Sequence, residues 1–315
     1  MATINGVLGT IDTSDLGFTL MHEHVMVVNW AMRMSFANWL DREALVERAV
    51  AEVSTAKARG VRSMVDCTPV NLGRDIHVIR EVAERAEMQI VASTGLYWMD
   101  EPWLQTWEVD RLVEYFIGDI TDGIQGTSSK AGIIKAATDH PGVTDINRKL
   151  LQMAARLHRA TGVPISTHTD VHNHSGLAQQ DVFADEGVDL SRIVIGHCGD
   201  SDDLAYLEAI LARGSFIGMD RFGLDIILPT EKRVDVITEL CRRGYAGQLV
   251  LSHDACCHID WFPREQVEML APRWNFRHIP DDVLPALRQK GVTDDQLRAM
   301  TVDNPRRLFE RQGAY

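Results

Sequence analysis

Short apolar runs recur along this chain, and between them lie longer stretches in which apolar positions return every three or four residues. The runs are FTLMHEH (18–24), RSMVDC (62–67), QIVASTG (89–95) and AGIIKAA (131–137). They continue with VPISTH (163–168), RIVIGHC (192–198), SFIGMD (215–220) and QLVLSHD (248–254). Several are apolar over four or five consecutive residues, the pattern of parallel strands covered on both faces. Between them, 41–59 opens on an acidic cap, sets Leu45, Ala49 and Val53 on one face and stops at Gly60. The stretch 145–161 repeats this and stops at Gly162, while 230–243 starts on a threonine cap and ends before Gly244. Eight strands alternating with helices predict an α/β fold closed as a single (β/α)8 TIM barrel spanning residues 1–315. The competing closure, an open doubly wound sheet, normally carries a glycine-rich phosphate loop after its first strand, and HEHVMVVN contains no glycine.

Composition agrees with one sizeable core and narrows the partners. Hydrophobic residues make up 45% of the 315 and charged residues 24%, ordinary values for a globular chain. The formal net charge of −13 repels polyanions, which argues against nucleic acid and anionic membrane surfaces and favours a neutral or cationic small molecule. No apolar run approaches the ~20 residues that span a bilayer. The start MATINGVLGTIDTSDLG lacks the basic and apolar regions of a secretory signal. The five cysteines (67, 198, 241, 256 and 257) are odd in number and show no CxxC spacing, which reads as reduced cytoplasmic thiols. Cys67, Cys198 and Cys241 read as small apolar fillers.

In a parallel barrel, chemistry collects at the C-terminal ends of the strands. Strand one offers His22 and His24, two apart and so on one face; strand four carries Lys135 inside an apolar run. Strand five ends at His168, strand six at His197, strand eight at His253 and Asp254. Each alone has an ordinary explanation, but four imidazoles and a carboxylate at matching strand ends need partners, and a shared cation supplies one. Asp254 suits this role if His253 points outward. A cationic Lys135 beside a bound dication would be repelled, so the side chain either points outward or is changed chemically. Addition of CO2 to its neutral amine gives a carbamate whose two oxygens can bridge two metals. His172 and His174 form a second HxH in the polar TDVHNHSG, which reads as loop, with His172 the substitute should His168 not serve. His77, His140, His158, His258 and His278 have no converging partners.

The motifs HEH after strand one, K in strand four, STH after strand five, GHCGD after strand six, GMDRFG after strand seven and SHD after strand eight together resemble the phosphotriesterase family of the amidohydrolase superfamily. VNLGRDI (70–76), STGLYW (93–98), DRFGLD (220–225) and SHDACCHIDW (252–261) resemble the phosphotriesterase-like lactonases in particular. The resemblance implies two divalent cations (zinc, cobalt, iron or manganese): a buried one on His22, His24 and Asp254, and an exposed one on His168 and His197. Carbamylated Lys135 and a hydroxide would bridge them. Two metals about 3.5–4 Å apart lower the pKa of bridging water towards neutrality, and Asp254 is placed to accept its proton. Tyr97 and Arg221, just past strands three and seven, are expected to contact substrate, Arg221 by donating to a developing oxyanion. Leu72, Leu224, Ile227, Cys256, Ile259 and Trp261 are expected to wall a pocket for an acyl tail. Cys256 and Cys257 read as wall residues, since hydroxide already fills the nucleophile's role.

The activity implied is hydrolysis of N-acyl-homoserine lactones and other lactones with apolar tails, with weaker phosphotriesterase activity. A short stretch after Arg221 (FGLDIILP) and a long one after strand eight carrying Trp261 and Trp274 favour this branch over the dedicated phosphotriesterases. A dedicated phosphotriesterase, another amidohydrolase acting on amides or cyclic imides, and a non-catalytic binding barrel are the alternatives. The resemblance also implies a homodimer, for which the aromatic stretch 96–107 is a candidate contact or a folded flap.

Overall fold

The structure is a computed structural model describing residues 2–310 and 313–315. An antiparallel hairpin of β1 (Thr3–Gly6) and β2 (Gly9–Asp12) opens it, an element too short to leave a periodic signal. Eight strands follow: β3 (Phe18–Glu23), β4 (Val61–Asp66), β5 (Gln89–Gly95), β6 (Ile133–Ala137), β7 (Ile165–His168), β8 (Ile193–Ile195), β9 (Phe216–Met219) and β10 (Leu249–Leu251). They pair in parallel and in chain order, with helices between, as a nearly closed (β/α)8 barrel. Beyond β10 the ring is joined by main-chain bonds: Asp254 N–H donates to the His22 carbonyl at 2.9 Å, and His24 N–H to that of Ala255 at 2.9 Å. The hairpin lies against the N-terminal ends of β5 and β6, where Val7 N–H meets the Ile90 carbonyl at 2.9 Å and the Asn5 amide that of Ala131 at 2.9 Å.

Strand alternation separates two apolar layers. Val65, Val91, Ile133, Val194 and Val250 pack inside the barrel with Leu308 and Phe309, whereas Met64, Ile90, Ile134, Ile195 and Leu251 pack against the helices. Lys135, two residues beyond inward-facing Ile133, therefore points into the lumen. Met21 also faces inward, so strict alternation would turn His22 outward. A register shift between Leu20 and Glu23 re-aims the strand, a common device beside active sites, and sets both His22 and His24 on the lumen side.

Helix ends follow their caps, with two corrections. Arg42–Lys57 is capped by the Asp41 carboxylate as expected. Asp145–Thr161 is capped by Thr144, whose hydroxyl accepts from Asn147 N–H at 3.1 Å, and closes at left-handed Gly162. Thr230 is the first residue of Thr230–Arg242 and not its cap, because its N–H and hydroxyl are taken by the Asp225 carboxylate, each at 2.7 Å. The expected strands 192–198 and 248–254 shorten to three residues each, since the chain leaves the ladder to present its functional groups. Among the described residues no helix is long and apolar enough to cross a membrane.

Candidate metal centre

The chain bends sharply where the expected ligands sit. His197 and Asp254 occupy the left-handed region at φ 61° and 55°, a conformation most side chains avoid. Buried hydrogen bonds hold both in place. His197 N–H donates to Asp220 at 2.8 Å. Around Asp254, the Glu23 carboxylate accepts from the Ser252 hydroxyl (2.7 Å), His253 Nδ1 (2.7 Å) and Ala255 N–H (3.0 Å). His253 Nε2 in turn accepts from Ile279 N–H at 3.0 Å, so this imidazole is held facing away from the lumen, freeing Asp254 to turn inward.

Four imidazoles converge, each held from outside by one nitrogen. Asp220 takes Nδ1 of His22 at 3.2 Å and of His197 at 3.0 Å; the Thr68 hydroxyl takes Nδ1 of His24 at 2.8 Å; Asp139 takes Nε2 of His168 at 3.2 Å. These partners place the ring protons outside, so the inner nitrogens carry lone pairs. The inner nitrogens of His197 and His168 lie 2.8 Å apart. His22 Nε2 is 2.6 Å from Lys135 Nζ, and Asp254 Oδ1 is 2.9 Å from His24 Nε2 and 3.5 Å from His22 Nε2. Facing lone pairs beside a carboxylate are the donor set that a borderline divalent cation satisfies, so these residues fit the implied metals. His172 is exposed in a loop turn and takes no part, and none of the other histidines set aside above contributes a nitrogen here.

Burial sets the protonation states. It pushes the His22 and His197 imidazoles down and His168 to about 4, so all three stay neutral near pH 7. It also pushes the Lys135 ammonium down, towards the free amine. For Asp254 burial opposes ionisation, but the surrounding imidazoles and Arg221 more than reverse it and hold the carboxyl well below its usual range.

The whole chain is similar to known proteins. The phosphotriesterase family model matches residues 2–309. A phosphotriesterase homology protein of Mycobacterium tuberculosis is 48% identical with both chains covered in full. The chain belongs to the phosphotriesterase family. A solved structure described as the phosphotriesterase from Mycobacterium tuberculosis superposes with a TM-score of 0.95 at 48% identity, covering 99% of this chain and 100% of that one. An aryldialkylphosphatase of Saccharolobus solfataricus is 40% identical over 95% of this chain and 97% of its own. The phosphotriesterase family implies a binuclear metal site, and the clustered His and Asp side chains offer the ligand atoms.

In this phosphotriesterase-family barrel the centre opens into a cavity of about 370 Å³, bordered by His24, Lys135, His168, Asp254, Tyr97 and Arg221. Leu72, Leu224, Ile227, Cys256, Ile259 and Trp261 line it, joined by Ile226, Phe262, Val267 and Leu270, which the sequence alone did not single out. A larger cavity of about 580 Å³ behind the helix Arg264–Leu270 touches none of the four imidazoles. Tyr97 hydroxyl is 3.2 Å from His168 Nδ1. Arg221 donates through Nε to Asp254 Oδ2 and through Nη1 to Asp200 Oδ2, each at 2.9 Å. In the stretch 96–107, Tyr97 and Leu104 are buried, Trp103 packs on the core and bonds Glu101 at 2.7 Å, and Trp107 is exposed beside Tyr115. All five cysteines are free thiols, Cys256 beside the cavity.

Asp220, Asp139, Thr68, Glu23 and Asp200 went unrecognised in the sequence. Glu23 had a readable signal, since an acid between two inward histidines on a fully covered strand must find a buried partner. Asp220 orients two imidazoles on separate elements at once, and outer partners of this kind contribute roughly 10–100-fold in metal affinity. Asp220→Asn is expected to lose metal to a chelator at least about tenfold faster than wild type, read by elemental analysis during timed dialysis.

Proposed function

We propose that the protein is a metal-dependent lactonase acting on N-acyl-homoserine lactones and other lactones with apolar tails, with phosphotriester hydrolysis as a weaker activity. The observation that carries this reading is the almost wholly apolar cavity opening directly onto Arg221, Tyr97 and the imidazole cluster. His22, His24 and Asp254 would hold one cation and His168 and His197 the other, with Lys135 between them as a carbamate. That group forms when the neutral amine adds to CO2 and releases a proton, which burial of Nζ favours. Bound divalent cations supply a Lewis acid for the substrate oxygen and water that ionises near neutral pH.

The side chains account for the remaining steps. Asp254, held ionised, accepts the proton of the attacking water and returns it to the ring oxygen as the ester bond breaks. Arg221 is kept charged by Asp200 and Asp254 against the pull of burial, and donates to the oxygen on which charge develops. Tyr97, whose phenol burial pushes up, stays protonated and donates beside His168. Leu72, Leu224, Ile227, Cys256, Ile259 and Trp261 take the tail and exclude water. We further propose a cytoplasmic homodimer that binds neither nucleic acid nor membrane: the dimer follows from the family resemblance, the compartment from the free thiols, and the excluded partners from the net charge of −13.

Metal-loaded enzyme assayed against acyl lactones of several lengths and against paraoxon tests the assignment. The expected result is a higher kcat/KM for at least one acyl lactone; a higher value for paraoxon than for every lactone overturns it. A dedicated phosphotriesterase is the second reading, favoured by the 40% identical relative named aryldialkylphosphatase.

A further inference from the structure

Arg233, far from the imidazoles in sequence, is 1% exposed and is among the largest fully buried side chains. A buried guanidinium needs a partner for each of its donors. Here Nε donates to the Leu228 carbonyl at 2.9 Å, Nη2 to the Leu224 carbonyl at 3.4 Å, and Nη1 to the Gly199 carbonyl while lying 2.8 Å from Asp200 Oδ1. Leu224 and Leu228 are the two ends of the loop that carries Ile226 and Ile227 into the cavity wall. Those isoleucines are 64% and 41% exposed, so core packing does not fix them and their position follows the backbone. Asp200 is the same carboxylate whose other oxygen receives Arg221 at 2.9 Å. A row of alternating charges thus runs from Asp254 through Arg221 and Asp200 to Arg233, with the cavity wall fastened to its far end.

We propose that Arg233 is a positioning residue that sets substrate selectivity, because one guanidinium fastens the 224–228 wall and, through Asp200, fixes where Arg221 stands. This rests on the lactone reading only for the identity of the tail. A lysine keeps the charge beside Asp200 but cannot hold three carbonyl acceptors in a planar fork.

In Arg233→Lys, the ratio of kcat/KM for a long-tailed over a short-tailed lactone is expected to fall about tenfold, chiefly through KM for the long tail. Metal content per chain stays at the wild-type value. Asp200→Asn leaves the three carbonyl contacts of Arg233 in place and releases Arg221, so it should slow both lactones alike and preserve the ratio. An unchanged ratio in Arg233→Lys, with both substrates slowed equally, overturns the proposal and leaves Arg233 a structural residue. Should that variant fail to fold, one glycine inserted between Ile226 and Ile227 at the exposed loop tip frees the wall from the same anchor. It should collapse the ratio equally, and an unchanged ratio there also overturns the proposal. If wild type cleaves no lactone, the same ratio is read on phosphotriesters with long and short alkoxy groups, so the lactone reading can fail while this one stands.

Discussion

Asp254→Asn is expected to lower kcat by about a thousandfold or more on every substrate, the upper range for loss of a proton-transferring group. The substitution is isosteric but removes the charge that faces His24 Nε2 at 2.9 Å and Arg221 Nε at 2.9 Å. Its amide oxygen can still accept from Arg221 while its NH2 turns to the His24 Nε2 lone pair, so the loss reports the charge and not a misfit. Two functions fail together, since a cation loses an anionic ligand and the attacking water loses its proton acceptor. Steady-state kinetics beside elemental analysis separates them: retention of both metals with kcat lost isolates the proton transfer. Turnover within about tenfold of wild type would remove Asp254 from that step.

The second large effect concerns Lys135. Lys135→Met is expected to reduce turnover to background and to leave the protein unable to retain a pair of metals through dialysis. The same substitution should leave the metal-free protein as stable as wild type or more so. Lys135 is 1% exposed and among the described residues its Nζ makes one hydrogen bond, to His22 Nε2 at 2.6 Å, so an unmodified lysine there is a poorly solvated amine that methionine replaces with matching volume. Thermal unfolding in chelator reads the stability, and elemental analysis the metals. A methionine variant that keeps two metals and wild-type kcat would show that no bridging group at position 135 is needed.

Much of the barrel was legible because parallel strands covered on both faces write long apolar runs, and because Gly60, Gly162 and Gly244 close helices in left-handed turns. What escaped was decided by three-dimensional neighbours. The shift that turns His22 inward depends on the register of β3 against β4, which periodicity does not encode. The Thr144 cap replaced the expected acidic one because a hydroxyl reaches Asn147 N–H. At the site, groups with strong ligand chemistry stood out at strand ends. Asp220 and Asp139 did not, since an aspartate after a strand has many ordinary explanations until its distance to an imidazole is known. Arg233 sits in an unremarkable helical pattern, and only its three carbonyl acceptors and the Asp200 carboxylate beside it in space distinguish it.

The central claim is that Lys135 and the four imidazoles enclose a pair of cations. Diffraction at the metal absorption edge, from crystals grown with zinc and bicarbonate, tests it most directly. Two anomalous peaks about 3.5–4 Å apart are expected, one against His22, His24 and Asp254, the other against His168 and His197, with added density on Lys135 Nζ reaching both. A bare amine at position 135, or no peak among these side chains, would contradict it.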